Sequence, residues 1–179
     1  MISKKIKKYL IIDAYNVINA IDELKIDINS DFEKAREDFI HKMIELGHYT
    51  KENVIIVFDA YLVKNRKEKK ENRDGVEIVF TKYTQTADSY IEKLVSELSQ
   101  SILNEVRVVT KDFDEQQIVM GKGAIRVLPR ELYYEYNHMS RKIQKKYNKQ
   151  EGTTKDSLEN RLSLKSREAL KKIFDNDDY

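Results

Sequence analysis

Short runs of apolar residues recur along the chain and predict the strands of a sheet. They occupy residues 9–12, 53–59, 76–81 and 106–110. Short apolar runs that are rich in valine and isoleucine and lack polar alternation are typical of strands buried on both faces of a parallel sheet. We expect a fifth strand, at an edge of the sheet, over residues 124–128. Residues 14–28 and 60–75 are interpreted as loops, the first with room for a helical turn.

Between these runs, apolar residues recur every three or four positions, which predicts helices. The predicted helices cover residues 31–46, 84–98, 114–120 and 130–149. Ser30 or Asp31 can cap the first helix, and Gly47 is expected to end it. Thr86 is a good cap for the second helix, which places Asp88 in its first turn.

Strands that alternate with helices predict an α/β fold, with a mainly parallel sheet and helices on both of its faces. A chain of 179 residues is long enough for one such domain with an appendage. We expect the α/β domain over residues 1–150 and a helical tail over residues 151–179. Gly152 is expected to break the long helix, and the tail is expected to form two short helices over residues 157–161 and 163–174.

Three of the predicted strands are followed by an aspartate, and a fourth aspartate begins a helix. These residues are Asp13, Asp59, Asp112 and Asp88. Because the carboxyl ends of parallel strands share one edge of the sheet, the four carboxylates can meet there. Clustered carboxylates resist ionising together, and a divalent cation removes that conflict. Oxygen ligands without cysteine or histidine favour Mg²⁺ or Mn²⁺, the ions with which many nucleases hydrolyse phosphodiesters.

Each acid on its own also has a purely structural explanation. A single aspartate after a strand often forms a turn or caps a helix, and Asp88 would be a favourable charge at a helix N-terminus. Asp112 could form such a turn while Asp114 caps the following helix. Glu92, one turn after Asp88, is either an additional ligand or a surface residue paired with a lysine. Asn16 either orients a metal ligand or phosphate, or only stabilises its turn.

The composition excludes several classes of protein. The chain has no cysteine, so disulfides, thiolate metal sites and cysteine nucleophiles are excluded. Its three histidines are not paired at ligand spacing, which argues against zinc. No apolar run approaches the roughly 20 residues that span a bilayer. The apolar run after the basic start is too short for a signal peptide, so we expect a soluble, cytoplasmic protein. The net charge of +2 says little about partners.

The segment Asp13-Ala14-Tyr15-Asn16 resembles the Asp-Gly-Tyr-Asn opening of the NYN domain, a branch of the PIN-like nucleases. Further segments match its bacterial YacP-like members in the same order. They are Val57-Phe58-Asp59-Ala60, Val79-Phe80-Thr81-Lys82, Thr86-Ala87-Asp88-Ser89-Tyr90-Ile91-Glu92, Val109-Thr110-Lys111-Asp112 followed by Glu115-Gln116, and Gly121-Lys122-Gly123-Ala124-Ile125-Arg126. The resemblance covers about residues 8–140.

This resemblance implies a three-layer PIN-like fold and a Mg²⁺- or Mn²⁺-dependent endoribonuclease. The family's catalytic, metal-binding acids correspond to Asp13, Asp88 and Asp112, with Asp59 as a further metal-binding candidate. Asn16 and Thr110 would orient ligands or phosphate. Some YacP-like members act on messenger RNA at the ribosome, so messenger RNA is the implied substrate and the ribosome an implied partner.

Two departures from the family pattern stand beside the expected site. Ala14 replaces the usual glycine, so the turn after the first strand must avoid positive φ at that position. Lys111 stands where a serine is common, and it places a cation beside the expected metal site. Neither departure removes a carboxylate.

Basic residues could hold the phosphates of RNA, because lysine and arginine neutralise phosphate charge. The candidates are Lys64, Arg66 and Lys67 in the loop at residues 60–75, together with Lys82 and Lys111. Charge runs of this kind are also typical of solvated surfaces. Tyrosines of the helix at residues 130–149 could stack on bases, but Tyr133, Tyr136 and Tyr147 fall on one helical stripe, which is more typical of a buried face.

Other phosphate chemistries fit the residues less well. A receiver-like phosphoacceptor built on Asp59 and Lys111 needs two adjacent acids after the first strand, and it leaves Asp88 unexplained. A haloacid-type phosphatase needs a second acid where Tyr15 stands. A dinucleotide-binding enzyme needs a glycine-rich turn after the first strand, and residues 121–123 lack the spacing of a P-loop. The remaining alternative is a non-catalytic RNA- or ribosome-binding module, which would gain nothing from carboxylates placed near phosphates.

Overall fold

A six-stranded sheet forms the centre of the fold. The computed structural model describes residues 5–24, 31–59 and 68–161, with only the backbone described over 149–161. The strands are β1 (Lys7–Asp13), β2 (Asn53–Phe58), β3 (Lys69–Arg73), β4 (Val76–Phe80), β5 (Asn104–Val109) and β6 (Ile125–Val127). Their spatial order is β3-β4-β2-β1-β5-β6, and all neighbouring pairs are parallel except β3 with β4. The mainly parallel sheet confirms the prediction, with β6 as the expected edge strand.

Helices lie on both faces of this sheet. They are α1 (Ala14–Ala20), α2 (Phe32–Thr50), α3 (Ala87–Leu98), α4 (Phe113–Gly121) and α5 (Pro129–Arg161). Successive side chains of a strand point to opposite faces. Val57 therefore packs in the core formed with α3 and α4, whereas its neighbour Phe58 contacts the ring of Tyr15 on α1, 5.3 Å away between ring centres. The three layers confirm the predicted architecture.

The parallel register brings several strand ends to one edge of the sheet. Asp13, the last residue of β1, is level with Val57 near the end of β2. On the other side of β1, Ile12 is level with Val109, the last residue of β5. The segments that follow β1, β2 and β5 therefore leave the sheet at the same edge, as the sequence predicts.

The edge strand β3 was missed by sequence reasoning, which placed residues 69–73 in a loop. The five residues Lys69–Arg73 carry no apolar side chain, yet they pair antiparallel with β4. An edge strand needs no buried face, and charged side chains protect its open side. Asp74 and Gly75, with φ of 49° and 84°, form the tight turn of this hairpin. An Asp-Gly pair is typical of a hairpin turn. This pair was the sequence feature from which β3 could have been predicted.

The first two helices differ from the prediction at their ends. α1 begins at Ala14, directly after β1, where a loop was expected. Ala14 adopts helical backbone, which satisfies the requirement that this turn avoid positive φ. Asp31 caps α2 as predicted, but the expectation that Gly47 ends it was wrong. The helix runs on to Thr50. Gly47 instead lets β2 approach closely, because a Cβ there would lie 2.8 Å from Val54 Cγ2.

The last helix is also longer than predicted. α5 begins at Pro129, one residue before the predicted start, and it continues without a break through Gly152 to Arg161. One glycine inside a helix costs about 1 kcal/mol relative to alanine, which is too little to end the helix by itself. The chain divides into two compact units, residues 1–137 and 138–179. The domain boundary at residue 150 stays a prediction, and the helix expected over residues 163–174 lies outside the described residues.

Candidate metal centre

Asp13 lies at the end of β1 and is almost fully buried, with 5% of its surface exposed. It caps α1: its Oδ1 accepts a hydrogen bond from the Asn16 backbone N–H at 3.1 Å. Its Oδ2 accepts one from the Asn16 side-chain amide at 3.2 Å. Burial raises the pKa of Asp13 to about 6, although both hydrogen bonds favour the charged form. Asn16 therefore orients Asp13, which is one of the two roles that the sequence left open.

Asp88 lies in the first turn of α3, behind the predicted cap Thr86, whose Oγ1 accepts a hydrogen bond from the Ser89 backbone N–H. It is exposed, so it is the member of the site that faces solvent. Burial of part of its carboxyl group raises its pKa, and the charges of Asp112 and Asp59 raise it further. Asp112 and Asp59 therefore lie near enough to Asp88 to influence its ionisation.

Glu115 is the site residue that sequence reasoning missed. It lies in the first turn of α4 and is 4% exposed, and neither of its carboxyl oxygens has a hydrogen-bond partner among the residues that the structure describes. Burial raises its pKa to about 8. The nearby Thr110 hydroxyl partly opposes this rise without meeting the geometry of a hydrogen bond, and the charges of Asp13 and Asp88 add to the rise. Burying a carboxyl group without hydrogen-bond partners lowers the stability of the folded state. Some further interaction of Glu115 must therefore compensate for its burial.

Three of these carboxyl groups converge on one point. One oxygen from each of Asp13, Asp88 and Glu115 lies within 4.8 Å of the other two. The three come from β1, α3 and α4, and all are hard oxygen donors, the type that Mg²⁺ and Mn²⁺ prefer. The unpartnered oxygens of Glu115 and the raised pKa values are what a carboxylate group shows when its counter-ion is a bound cation. The residues present therefore fit a divalent metal ion.

Asp112 lies beside this group and not in it. Its Oδ1 caps α4 by accepting hydrogen bonds from the backbone N–H groups of Asp114, at 2.8 Å, and Glu115, at 3.1 Å. Asp112, and not Asp114, is therefore the cap of α4. Its charge raises the pKa of both Asp88 and Glu115, so it is close to both. Asp112 thus positions Glu115 through the helix cap.

The backbone around Asp112 is held by two buried polar residues. The Thr110 Oγ1 accepts a hydrogen bond from the Asp112 backbone N–H at 3.1 Å. The side-chain amide of Gln116 donates to the Thr110 carbonyl oxygen at 3.0 Å. Thr110 is therefore a structural support for the loop between β5 and α4.

The other predicted ligands have different partners. Asp59 follows β2, and its Oδ2 accepts a hydrogen bond from the Ala87 backbone N–H at 3.3 Å. It thereby ties the start of α3 to the sheet. Glu92 lies one turn after Asp88, but its Oε1 is paired with Lys122 Nζ at 2.7 Å. That pairing is the surface role that the sequence left open for Glu92.

Of the predicted RNA-binding residues, the structure describes Lys82 and Lys111. Both are exposed, and neither forms an ion pair within the described part of the chain. Lys64, Arg66 and Lys67 lie outside the described residues. On α5, Tyr147 is 66% exposed, so the expectation that it belongs to a buried stripe was wrong.

Comparisons with known proteins identify the family of this chain. The model of the YacP-like NYN domain matches residues 10–175. This chain belongs to the YacP-like NYN domain family. The NYN domain is a PIN-like nuclease domain, so the resemblance seen in the sequence is confirmed. Among the described residues, no helix combines the length and the apolar character needed to cross a membrane.

Relatives from Bacillus subtilis support the assignment. The protein YacP of Bacillus subtilis (strain 168) is 43% identical over 140 residues, which cover 78% of this chain and 81% of the relative. The crystal structure of Rae1 (YacP) from Bacillus subtilis matches with a TM-score of 0.68 and 37% identity, covering 94% of this chain and 95% of that one. A point mutant of the same protein matches with a TM-score of 0.67 and 39% identity over 79% of this chain and 81% of that one.

Proposed function

We propose that this protein is an endoribonuclease that hydrolyses RNA phosphodiester bonds with Mg²⁺ or Mn²⁺ bound by Asp13, Asp88 and Glu115. The observation that carries the proposal is the convergence of these three carboxyl groups within 4.8 Å at the carboxyl edge of the sheet. The family assignment adds a nuclease domain to that geometry. Asp112 and Asp59 complete the acidic site, and Asp112 remains a candidate catalytic residue and metal ligand because its charge acts on both Asp88 and Glu115.

The electrostatics of the metal-free site support a bound cation. Two of the three acids are buried and have raised pKa values, so full ionisation of the group is unfavourable without a counter-charge. When bound, Mg²⁺ or Mn²⁺ would activate a water molecule and neutralise the charge that develops on the phosphodiester. The three-acid group contains no histidine. This argues against the mechanism of metal-independent ribonucleases, in which a pair of histidines acts as acid and base.

The surrounding residues have supporting roles in this proposal. Asn16 fixes both oxygens of Asp13, and a fixed ligand binds a metal more tightly than a mobile one. The cap formed by Asp112 holds Glu115 at the start of α4. Lys82 and Lys111 are exposed cations that can contact phosphate groups on either side of the cleaved bond. The loop with Lys64, Arg66 and Lys67 would extend that contact.

We further propose messenger RNA as the substrate, the ribosome as a partner and the cytoplasm as the location. The support for these three points is membership of the family alone. A protein that binds RNA without cleaving it is the competing function, and the following experiment separates the two.

The test is cleavage of an end-labelled RNA by the purified full chain with Mg²⁺, with Mn²⁺ and with EDTA. We expect internal cleavage that requires the metal, and a rate at least about a hundredfold lower in Asp88→Asn, because neutralising one carboxylate weakens both metal binding and the chemical step. Glu97→Gln is the matched control, because Glu97 is an exposed acid on the same helix whose ion pair is with Lys93. A folded wild type that cleaves neither free nor ribosome-bound RNA would overturn the proposal, and an unchanged rate in Asp88→Asn would overturn the site.

A further inference from the structure

Phe113 is an exposed aromatic residue that directly follows Asp112, beside the metal centre. It is the first residue of α4, and 68% of its surface is exposed. Consecutive Cα atoms are about 3.8 Å apart, so its backbone is adjacent to that of Asp112, and Glu115 follows within the same helical turn. Among the described residues, Phe113 has no ring or cation partner. Most of this side chain therefore lies outside the core of the sheet.

Lys111 stands on the other side of Asp112 and is also exposed, without an ion pair in the described part of the chain. The three consecutive residues 111–113 thus present a cation, a carboxylate and an aromatic ring at the edge where the metal-binding acids converge. A nucleotide has the complementary groups: a phosphate for the lysine and a base with an aromatic face for the ring.

We propose that Phe113 stacks on the base next to the cleaved phosphodiester and that Lys111 contacts the adjoining phosphate. This inference rests on the proposed function. Stacking of a base on an aromatic side chain tolerates every base, because each base has an aromatic face. It requires that the nucleotide be unpaired, because a base inside a duplex is already stacked on its neighbours. Phe113 is thus a positioning residue that holds one unpaired nucleotide at the metal centre.

The position of Phe113 favours a base over an apolar protein partner. Met120 lies two helical turns further along α4, on nearly the same side of the helix, and is 45% exposed. A protein that docks on this side of α4 would contact both residues. A base held at the acidic group would contact only Phe113, because Met120 is about 10 Å further along the helix axis.

A direct test uses the lack of tryptophan in this chain. Phe113→Trp places a single tryptophan at the site, and Tyr49→Trp places one at the far end of α2 as a control, where Tyr49 is 50% exposed. With Ca²⁺ present, we expect a single-stranded oligoribonucleotide to quench the tryptophan emission of the first variant only. The same oligonucleotide with abasic sites at the cleavage point is expected to quench it far less. Equal quenching by both oligonucleotides, or no quenching by either, would overturn the stacking role.

The kinetic test compares Phe113→Ala, Phe113→Tyr and Met120→Ala. Loss of one stacked base is expected to raise KM about tenfold in Phe113→Ala, with a smaller change in kcat, while Phe113→Tyr keeps the ring and restores KM. Met120→Ala should behave as wild type. If Phe113→Ala has the KM of wild type, or if Met120→Ala raises KM equally, the inference is wrong while the nuclease function stands. If the wild type cleaves no RNA, the proposed function is wrong and the fluorescence titration alone decides the stacking.

Discussion

One carboxyl oxygen of Glu115 lies within 4.8 Å of one of Asp13, and both side chains are almost completely buried. The two residues come from opposite ends of the sheet-forming part of the chain, and the parallel pairing of β1 with β5 brings them together. Buried acids at this separation disfavour each other's ionisation. Such an arrangement persists in a folded protein when another factor compensates for it, and a divalent cation is the factor that the donor atoms fit.

The first prediction concerns Glu115 itself. Glu115→Gln keeps the size of the side chain and removes its charge, so we expect metal-dependent RNA cleavage to fall about 10- to 100-fold or more. Asp114→Asn is the matched control, because Asp114 is an exposed acid in the same helical turn and lies outside the three-residue group. Cleavage rates at saturating Mn²⁺ measure the effect. A rate for Glu115→Gln equal to that of the Asp114→Asn control would remove Glu115 from the site.

The second prediction is the pH dependence of stability in the metal-free protein. Asp13 and Glu115 have folded-state pKa values of about 6 and about 8, above their ordinary values of 3.8 and 4.5. A raised pKa means that the folded state binds the proton more tightly than the unfolded state. The stabilisation is therefore fully present below about pH 4 and is lost as the pH rises through 6 and then 8.

We accordingly expect the free energy of unfolding, measured in urea with EDTA, to fall between pH 5 and pH 8.5. Glu115→Gln should flatten the part of this decrease near pH 8 and raise the stability there by roughly 1–3 kcal/mol, because no buried charge then forms. Mn²⁺ should restore stability to the wild type at the higher pH, since it binds the deprotonated carboxylates. If the free energy of unfolding in EDTA instead rises steadily from pH 5 to pH 8.5, the ionisation of Asp13 and Glu115 does not destabilise the folded state, and the prediction is wrong.

The third prediction concerns the hydrogen bonds that Asn16 donates to Asp13. Asn16→Ala removes the side-chain bond to Asp13 Oδ2 and leaves Asp13 held only by the backbone N–H bond to its Oδ1, so we expect cleavage to fall about tenfold. Asn53→Ala is a suitable control, because Asn53 also donates a side-chain hydrogen bond, to the Lys8 carbonyl oxygen at the other edge of the sheet. Equal losses of activity in the two variants would indicate a general loss of stability and not a role at the metal centre.

The fourth prediction tests the close approach of α2 to β2. Gly47→Ala should destabilise the protein by roughly 1–3 kcal/mol, since its new Cβ would meet Val54 Cγ2 at 2.8 Å. This loss would outweigh the gain of about 1 kcal/mol that alanine normally brings to a helix. In a Val54→Ala background the collision disappears, so the same substitution should be neutral or stabilising. Additive effects of the two substitutions in urea unfolding would contradict this account.

Sequence reasoning located most of the sheet because β1, β2, β4 and β5 are β-branched and apolar. Such strands can be recognised from composition alone. It missed β3 because an edge strand that faces solvent has no such pattern, and only the turn at Asp74 and Gly75 indicated it. Sequence reasoning also misplaced the end of α2. The role of Gly47 depends on its distance from Val54 on β2, and the distance between two elements cannot be predicted from a local sequence pattern.

The candidate site was predicted in part for a similar reason. Asp13 and Asp88 were expected at the sheet edge because of where their strand and helix begin or end. Glu115 was not predicted as a metal ligand, although Glu115-Gln116 belonged to one of the segments that match the family. The direction of its side chain depends on which residue caps α4, and the sequence left that residue open. Once Asp112 is the cap, Glu115 occupies the first turn and is buried beside Asp13. The spacing of Asp112 and Glu115, a helix-capping aspartate followed three residues later by a glutamate, was the sequence signal that could have identified Glu115.

The most direct test of the account is a titration of the metal-free protein with Mn²⁺ at pH 8, followed by isothermal calorimetry. We expect a saturable site in the wild type and in Asp114→Asn, and a loss of about tenfold or more in affinity in Asp88→Asn and in Glu115→Gln. Equal affinity in all four proteins, or no saturable binding in the wild type, would contradict the claim that Asp13, Asp88 and Glu115 form a metal centre.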